Sequence, residues 1–219
     1  MKPTKYIKPG YLLIALLMVS SIAKAQEVEN EFQTRTSVKM SFKPLKKVKF
    51  NIIPELRFDE NFTLDKSLIE AELEYKAFKF LTLGAAYRYI ANQRENKDTE
   101  YLSRFSYSAT AEKDFNRFEG SFRLRYSNYA DEEDDDALDF LRYKVGLKYN
   151  IPKCKLTPSA SAELFQDLSG SSLYKMRYSV GADYKLFKKN YVGLSYKFDY
   201  YNNEYRNKHI LSVGYKIKF

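Results

Sequence analysis

The sequence predicts an all-β fold, an up-and-down antiparallel transmembrane β-barrel of about 10–12 strands behind a cleaved N-terminal signal peptide. Three observations carry this. A short apolar run follows a lysine-bearing start. The rest of the chain then alternates apolar and polar residues to its final position. The apolar half of that alternation is rich in aromatics, while the other half is charged.

At the N-terminus, Lys2, Lys5 and Lys8 precede an apolar run from Tyr11 to Ile22, and Ala23-Lys24-Ala25 offers a small-x-small cleavage site. The run is too short for a spanning helix, which needs about twenty residues. No cysteine follows it, which argues against lipid attachment there. The expected organisation is a signal peptide over 1–25, an N-terminal segment over 26–46, and an outer-membrane barrel over 47–219. Removing 1–25 takes away four lysines and lowers the formal charge from +9 to +5, which speaks against nucleic acid as a partner. The lone Cys154 leaves no internal disulfide to form.

Eleven segments alternate with period two: 31–42, 47–58, 67–77, 79–91, 99–113, 117–129, 137–149, 154–166, 172–185, 190–202 and 208–219. The first carries Phe32, Thr34, Thr36, Val38, Met40 and Phe42 on one face. In the third, Ile69, Ala71, Leu73 and Tyr75 oppose Glu70, Glu72, Glu74 and Lys76. In the fourth, Leu81, Leu83, Ala85, Tyr87 and Tyr89 oppose Thr82, Gly84, Ala86 and Arg88. The seventh sets Leu141, Tyr143, Val145, Leu147 and Tyr149 against Arg142, Lys144, Gly146 and Lys148. Successive strand side chains point to opposite faces, so each segment is a strand with one apolar and one charged face. Pro54 and Pro158 fall inside strands and predict bulges.

A soluble sandwich also alternates. Strands of this length, however, match a tilted crossing of a bilayer better than the short strands of soluble sheets. Aromatics gather at segment ends. Phe42, Phe78, Phe80, Phe118, Tyr149, Tyr184, Tyr191 and Phe219 lie beside short turns, while Phe58, Tyr87, Tyr89, Tyr101, Tyr126, Phe140, Tyr174 and Tyr200 lie beside longer loops. This predicts two interfacial girdles. Short connections alternate with longer ones, which places the short turns and the C-terminus in the periplasm. Single-chain barrels of this class have even strand numbers. Either ten strands cross from Lys47 onward, with 31–42 in the lumen or periplasm, or a twelfth strand exists. The balance tips toward ten.

The final strand, His209 to Phe219, ends on an aromatic and resembles the assembly signal of bacterial outer-membrane barrels. Ser212, Gly214, Ile217 and Phe219 fill its polar, glycine, hydrophobic and aromatic positions. The resemblance implies the barrel-assembly machinery as a partner during biogenesis, with outer-membrane lipids around the finished barrel. The run Glu55–Phe58 (Glu-x-Arg-Phe), the run Gly84–Tyr89 (Gly-x-x-Tyr-Arg-Tyr) and the aromatic end together resemble a family of small outer-membrane barrels of unknown function. That family implies no activity.

The inward faces carry more cations than carboxylates. Six arginines (Arg57, Arg88, Arg104, Arg125, Arg142 and Arg177) fall in the outward halves of their strands, with Glu70, Glu163 and Asp199 as candidate partners. A lumen filled by ion pairs is the foremost expectation, since buried charges persist when paired. A narrow anion-selective channel is the alternative. A lipid-modifying enzyme comes third. His209 is the only histidine, Ser212 points to the opposite face from it, and Ser171 or Ser172 would have to approach from elsewhere. No catalytic constellation and no cofactor are expected. The acidic run containing Asp131, Glu132, Asp134 and Asp136 is a weak candidate for a divalent cation, because it lacks the glycine and spacing of a calcium loop.

Overall fold

A computed structural model describes residues 29–93, 98–128, 139–170, 172–202 and 206–219. These form eleven strands. They are β1 (Glu29–Leu45), β2 (Val48–Phe58), β3 (Leu64–Lys76), β4 (Leu81–Asn92), β5 (Glu100–Phe115), β6 (Phe118–Ser127), β7 (Phe140–Tyr149), β8 (Leu156–Asp167), β9 (Leu173–Phe187), β10 (Asn190–Tyr201) and β11 (Arg206–Lys218). Each expected segment becomes a strand, and the described residues contain no helix. Neighbours in sequence pair antiparallel all the way round, and β1 closes the barrel against β11.

That closure corrects the preference for ten strands. Residues 29–45 lie in the wall, and the count is eleven. An odd number of alternating strands brings the first and last together pointing the same way, so β1 and β11 pair parallel from Glu29 opposite Arg206 to Ser41 opposite Lys218. At the end of this seam the Phe219 N–H donates to the Ser41 carbonyl at 2.8 Å, and the Phe219 ring stacks on Phe42 with centroids 4.6 Å apart.

The connections are short at one rim, where Asn116 and Lys189 take positive φ in tight turns, and longer at the other. Neither proline makes a bulge; the register shifts fall near Phe42, Arg57, Phe165 and Asn190 instead. Pro54 keeps register with Ile69 on β3, but the β1–β2 ladder has no partners registered between Ser37 and Met40, alongside it. A proline lacks the N–H such a rung would need. Pro158 pairs with Ala182 in unbroken register, just beyond the last residue that β8 pairs with β7.

Polarity is inverted relative to a soluble barrel. Leu83, Val145, Leu194 and most other large apolar side chains face outward and are exposed, Val145 to 60 %. Most of the buried residues are polar or charged, among them Arg57, Glu70, Arg104, Arg142 and Asp199. The period-two pattern thus turns its charged face to the lumen on every strand. Phe140 is a correction. It is buried inside rather than standing in an outer girdle, and the Tyr174 ring packs against it at 5.1 Å.

Candidate functional site

The interior is layered along the barrel axis. At the long-connection rim, Phe140, Phe165, Tyr174 and Tyr201 contact one another in series, and on the opposite wall Leu68 pairs with Ile90. Tyr174 reaches this cluster because the register shift after Phe165 turns it inward. Beneath these rings sits a girdle of charge. Arg142 stacks its guanidinium over Phe165 at 4.4 Å, and Lys175 approaches the same ring at 4.7 Å. A cation over a ring face in a desolvated site gains from the ring quadrupole.

The girdle is built by cross-strand register. On β7 to β10, Lys144 lies opposite Glu163, Glu163 opposite Arg177, and Arg177 opposite Asp199; Lys208 and Glu31 continue the row onto β11 and β1. Signs alternate from strand to strand, and directly opposed unlike charges stabilise a sheet. Asp199 is fully buried, receives two bonds from Arg177, and is paired with Lys175 at 3.2 Å. Glu163 accepts from Arg123 and Arg142 on one oxygen, both at 2.9 Å. Glu70 takes Arg88 at 2.8 Å with Arg104 at 3.9 Å, Glu72 takes Arg125 at 3.3 Å, and Glu55 takes Arg57 at 2.8 Å.

All nine residues singled out as lumen charges therefore stand in one girdle. Arg35 joins them from β1, with its Nε donating to Gln33 at 2.6 Å. Reasoning from sequence missed Arg35 and Glu31 because β1 was not counted in the wall, Lys66 because its strand was begun one residue too late, and Lys208 although its segment begins on it. Alternation extended by one more pair of residues upstream of Ser67 would have found Lys66, and the segments 31–42 and 208–219 already held Glu31 and Lys208.

Below the girdle, toward the short-turn rim, lies a chamber of about 670 Å³. On one side Asn51 ties the wall together. It accepts from Ser41 at 2.7 Å and donates to Glu72 and Glu74 at 3.0 and 2.8 Å. Lys39 and Lys49 complete these carboxylates at 3.2 and 2.7 Å. The other side, on β7 to β11, carries small residues. A smaller void of about 150 Å³ lies within the girdle itself.

The remaining candidates do not converge. His209 faces outward, with its Nδ1 2.6 Å from the Tyr196 hydroxyl, Nε2 3.2 Å from Asn30, and its ring stacked on Phe32 at 4.8 Å. Ser212 lines the interior chamber on the other face of β11. Ser172 lies in the β8–β9 connection, where its carbonyl accepts from the Asp167 N–H at 2.9 Å. Ser171 and the acidic run at Asp131, Glu132, Asp134 and Asp136 fall outside the described residues, as do residues 1–25. Among the described residues no cluster of three or more His, Cys, Asp or Glu could hold a metal ion. Gly214 faces inward beside Ser212, while Ile217 and Phe219 belong to the opposite face.

A closed barrel with an exposed apolar outside and a charge-crossed inside is the class this fold and interior define. The chain belongs to a family described as "Protein of unknown function (DUF2490)", which matches residues 32–209. No curated protein matches it. A solved structure described as "Unveiling the Mechanism Behind the in-meso Crystallization of Membrane Proteins" is 12% identical over 78% of this chain and 71% of that one, with a TM-score of 0.40. A likeness of that size carries no argument.

Proposed function

We propose that this chain is exported by its N-terminal signal peptide and resides in the outer membrane as a barrel whose lumen is closed by its ion-paired girdle, serving as a scaffold or interaction platform rather than a pore. The observation that carries the reading is the inversion of polarity, with apolar side chains exposed outside and paired charge buried inside. Exposed apolar area of this extent is costly in water and favourable against lipid. The short-turn rim with the C-terminus then faces the periplasm. Ser212, Gly214, Ile217 and Phe219 serve as the signal read by the barrel-assembly machinery.

The competing reading is a narrow anion-selective channel, favoured by the void within the girdle, where nine of fourteen lining residues are Arg or Lys and one is acidic. Rings of fixed cations favour anion passage. Folded protein reconstituted in planar bilayers separates the two. A silent bilayer is expected, because the guanidinium groups of the girdle are already engaged by carboxylates and ring faces. Sustained anion-selective conductance would establish the channel and sink the closed scaffold.

A further inference from the structure

We infer that the chamber below the girdle is a binding site for a small phosphate-class oxyanion, held between Lys144, Lys197 and the guanidinium of Arg123. The inference rests on the closed-lumen reading only in that the chamber then ends at the girdle instead of leading through it.

The chamber combines space with unmatched donors. Space comes from register: Ser121, Gly146, Ser161 and Ser179 lie opposite one another on four successive strands, and Lys197 completes the row on β10. Gly181, on the same wall, cannot be enlarged without strain, because an added Cβ would lie 2.7 Å from the Leu194 carbonyl oxygen. The donors come from both walls. Lys144 stands opposite Glu163, but that carboxylate is bonded to Arg123 and Arg142. Lys197 has Ser179 and Ile210 as its cross-strand neighbours, neither of them acidic. Among the described residues neither lysine is in an ion pair.

Four buried side-chain polar atoms among the described residues lack a hydrogen-bond partner: Arg123 Nε, Arg125 Nε, Arg206 Nε and Ser212 Oγ. Arg123, Arg125 and Ser212 all line this one chamber, and the Arg125 side chain is only 9% exposed. A buried donor without an acceptor is costly, so three in one chamber mark a place where acceptors belong.

The chamber's own carboxylates do not supply them. Glu72 is taken by Lys39, Asn51 and Arg125, Glu74 by Lys49 and Asn51, and Asp183 by Lys216, while Glu112, exposed toward the short-turn rim, bonds to none of the three. The complementary ligand therefore carries several acceptor oxygens and negative charge. A phosphate group supplies both, and guanidinium and ammonium groups suit it. A neutral polyol would bring as many donors as acceptors and would leave the lysine charge unmatched. At the short-turn rim Lys148 and Lys216, with side chains 49% and 40% exposed, are already paired with Glu119 and Asp183, so the unmatched charge lies deeper, at Lys144 and Lys197.

The test is calorimetric titration of the purified, detergent-folded full-length barrel at low ionic strength with inorganic phosphate, with glycerol phosphate and with chloride. Saturable one-site binding of phosphate, with chloride much weaker, is expected. If glycerol phosphate binds equally well, the ligand is a phosphate monoester whose body occupies the chamber; if it does not, the ligand is the free oxyanion. Lys144→Met and Lys197→Met should each weaken binding by about tenfold or more, as loss of a charge-assisted contact does. Lys148→Met at the mouth should stay within about twofold of the parent. Absence of saturable binding by the parent barrel for both phosphate compounds overturns the site, and so does undiminished affinity in the Lys144→Met/Lys197→Met double variant. Current through bilayers plays no part in either outcome, so the site and the closed-lumen reading fail independently.

Discussion

Glu163 holds two guanidinium groups on one oxygen, with its side chain 4% exposed. Its replacement by alanine would leave Arg123, Arg142 and the neighbouring Lys144 facing one another with no carboxylate between them. Breaking a buried pair in this way costs about 3–5 kcal/mol, because the remaining charge is uncompensated. Lys148, paired with Glu119 at the exposed rim, is the contrast; its replacement by alanine should cost about 0–1 kcal/mol. Urea midpoints of the detergent-folded barrels measure both. Equal shifts would mean that the girdle carries no more energy than a surface pair. Placement of these charges was legible from alternation alone, since Arg142, Glu163 and Arg177 each sit amid apolar neighbours on a period-two strand. The same logic, followed two residues upstream of Arg142, already points Phe140 inward; proximity to a loop suggested the outer girdle instead. Tyr174 was not legible, because a register shift puts it inside and alternation contains no sign of one.

Element existence was equally legible. Eleven alternating segments became eleven strands, with ends moved by a few residues, as where β3 begins at Leu64 rather than Ser67. Pairing partners were not legible at the seam. A strand's face pattern states what lies in front of it and behind it, but nothing about its edges. β1 could thus be read as wall or as lumen segment. The parallel seam makes a specific prediction: with Cys154 replaced by serine, Thr34→Cys and Leu211→Cys, opposite each other on β1 and β11, should join through a short bifunctional thiol reagent. A ten-strand barrel closed by β2 against β11 would separate them, and no cross-link would form. The same seam gives Phe219 a second role beside the proposed assembly signal, since its ring and backbone N–H bind β1. Deleting Phe219 should lower the heat-modifiable, folded fraction in the outer membrane without reducing export. An unchanged folded fraction would contradict both roles.

At the scale of the whole molecule, the odd strand count sets the first and last strands parallel, so Glu29 begins at the long-connection rim and Lys218 ends at the short-turn rim. Between those rims the interior passes from aromatic cap to girdle to chamber. Whether it conducts depends on what the girdle arginines are doing. In a closed lumen they are structural cations, each satisfied by a carboxylate or a ring. In a channel they are a selectivity ring with charge to spare. Arg104→Gln combined with Arg142→Gln distinguishes the two, because glutamine removes charge while retaining much of the side-chain bulk. Glu70 would keep Arg88 and Glu163 would keep Arg123, so neither carboxylate is abandoned. For Arg142 the loss is then that of a charge-assisted hydrogen bond to Glu163, about 1.5–3 kcal/mol, and for Arg104 that of a longer ion contact with Glu70, in neither case of an isolated buried charge. A lowered urea midpoint with a bilayer as silent as the parent's is the expected result. Conductance in both proteins, with anion preference reduced in the variant and stability unchanged, would show that these cations face a permeating ion, since fixed charge near a constriction sets the local ion concentration. The expected outcome follows from the alternating signs around the girdle, where Glu163, Arg177, Asp199 and Lys208 oppose one another across four adjacent strands.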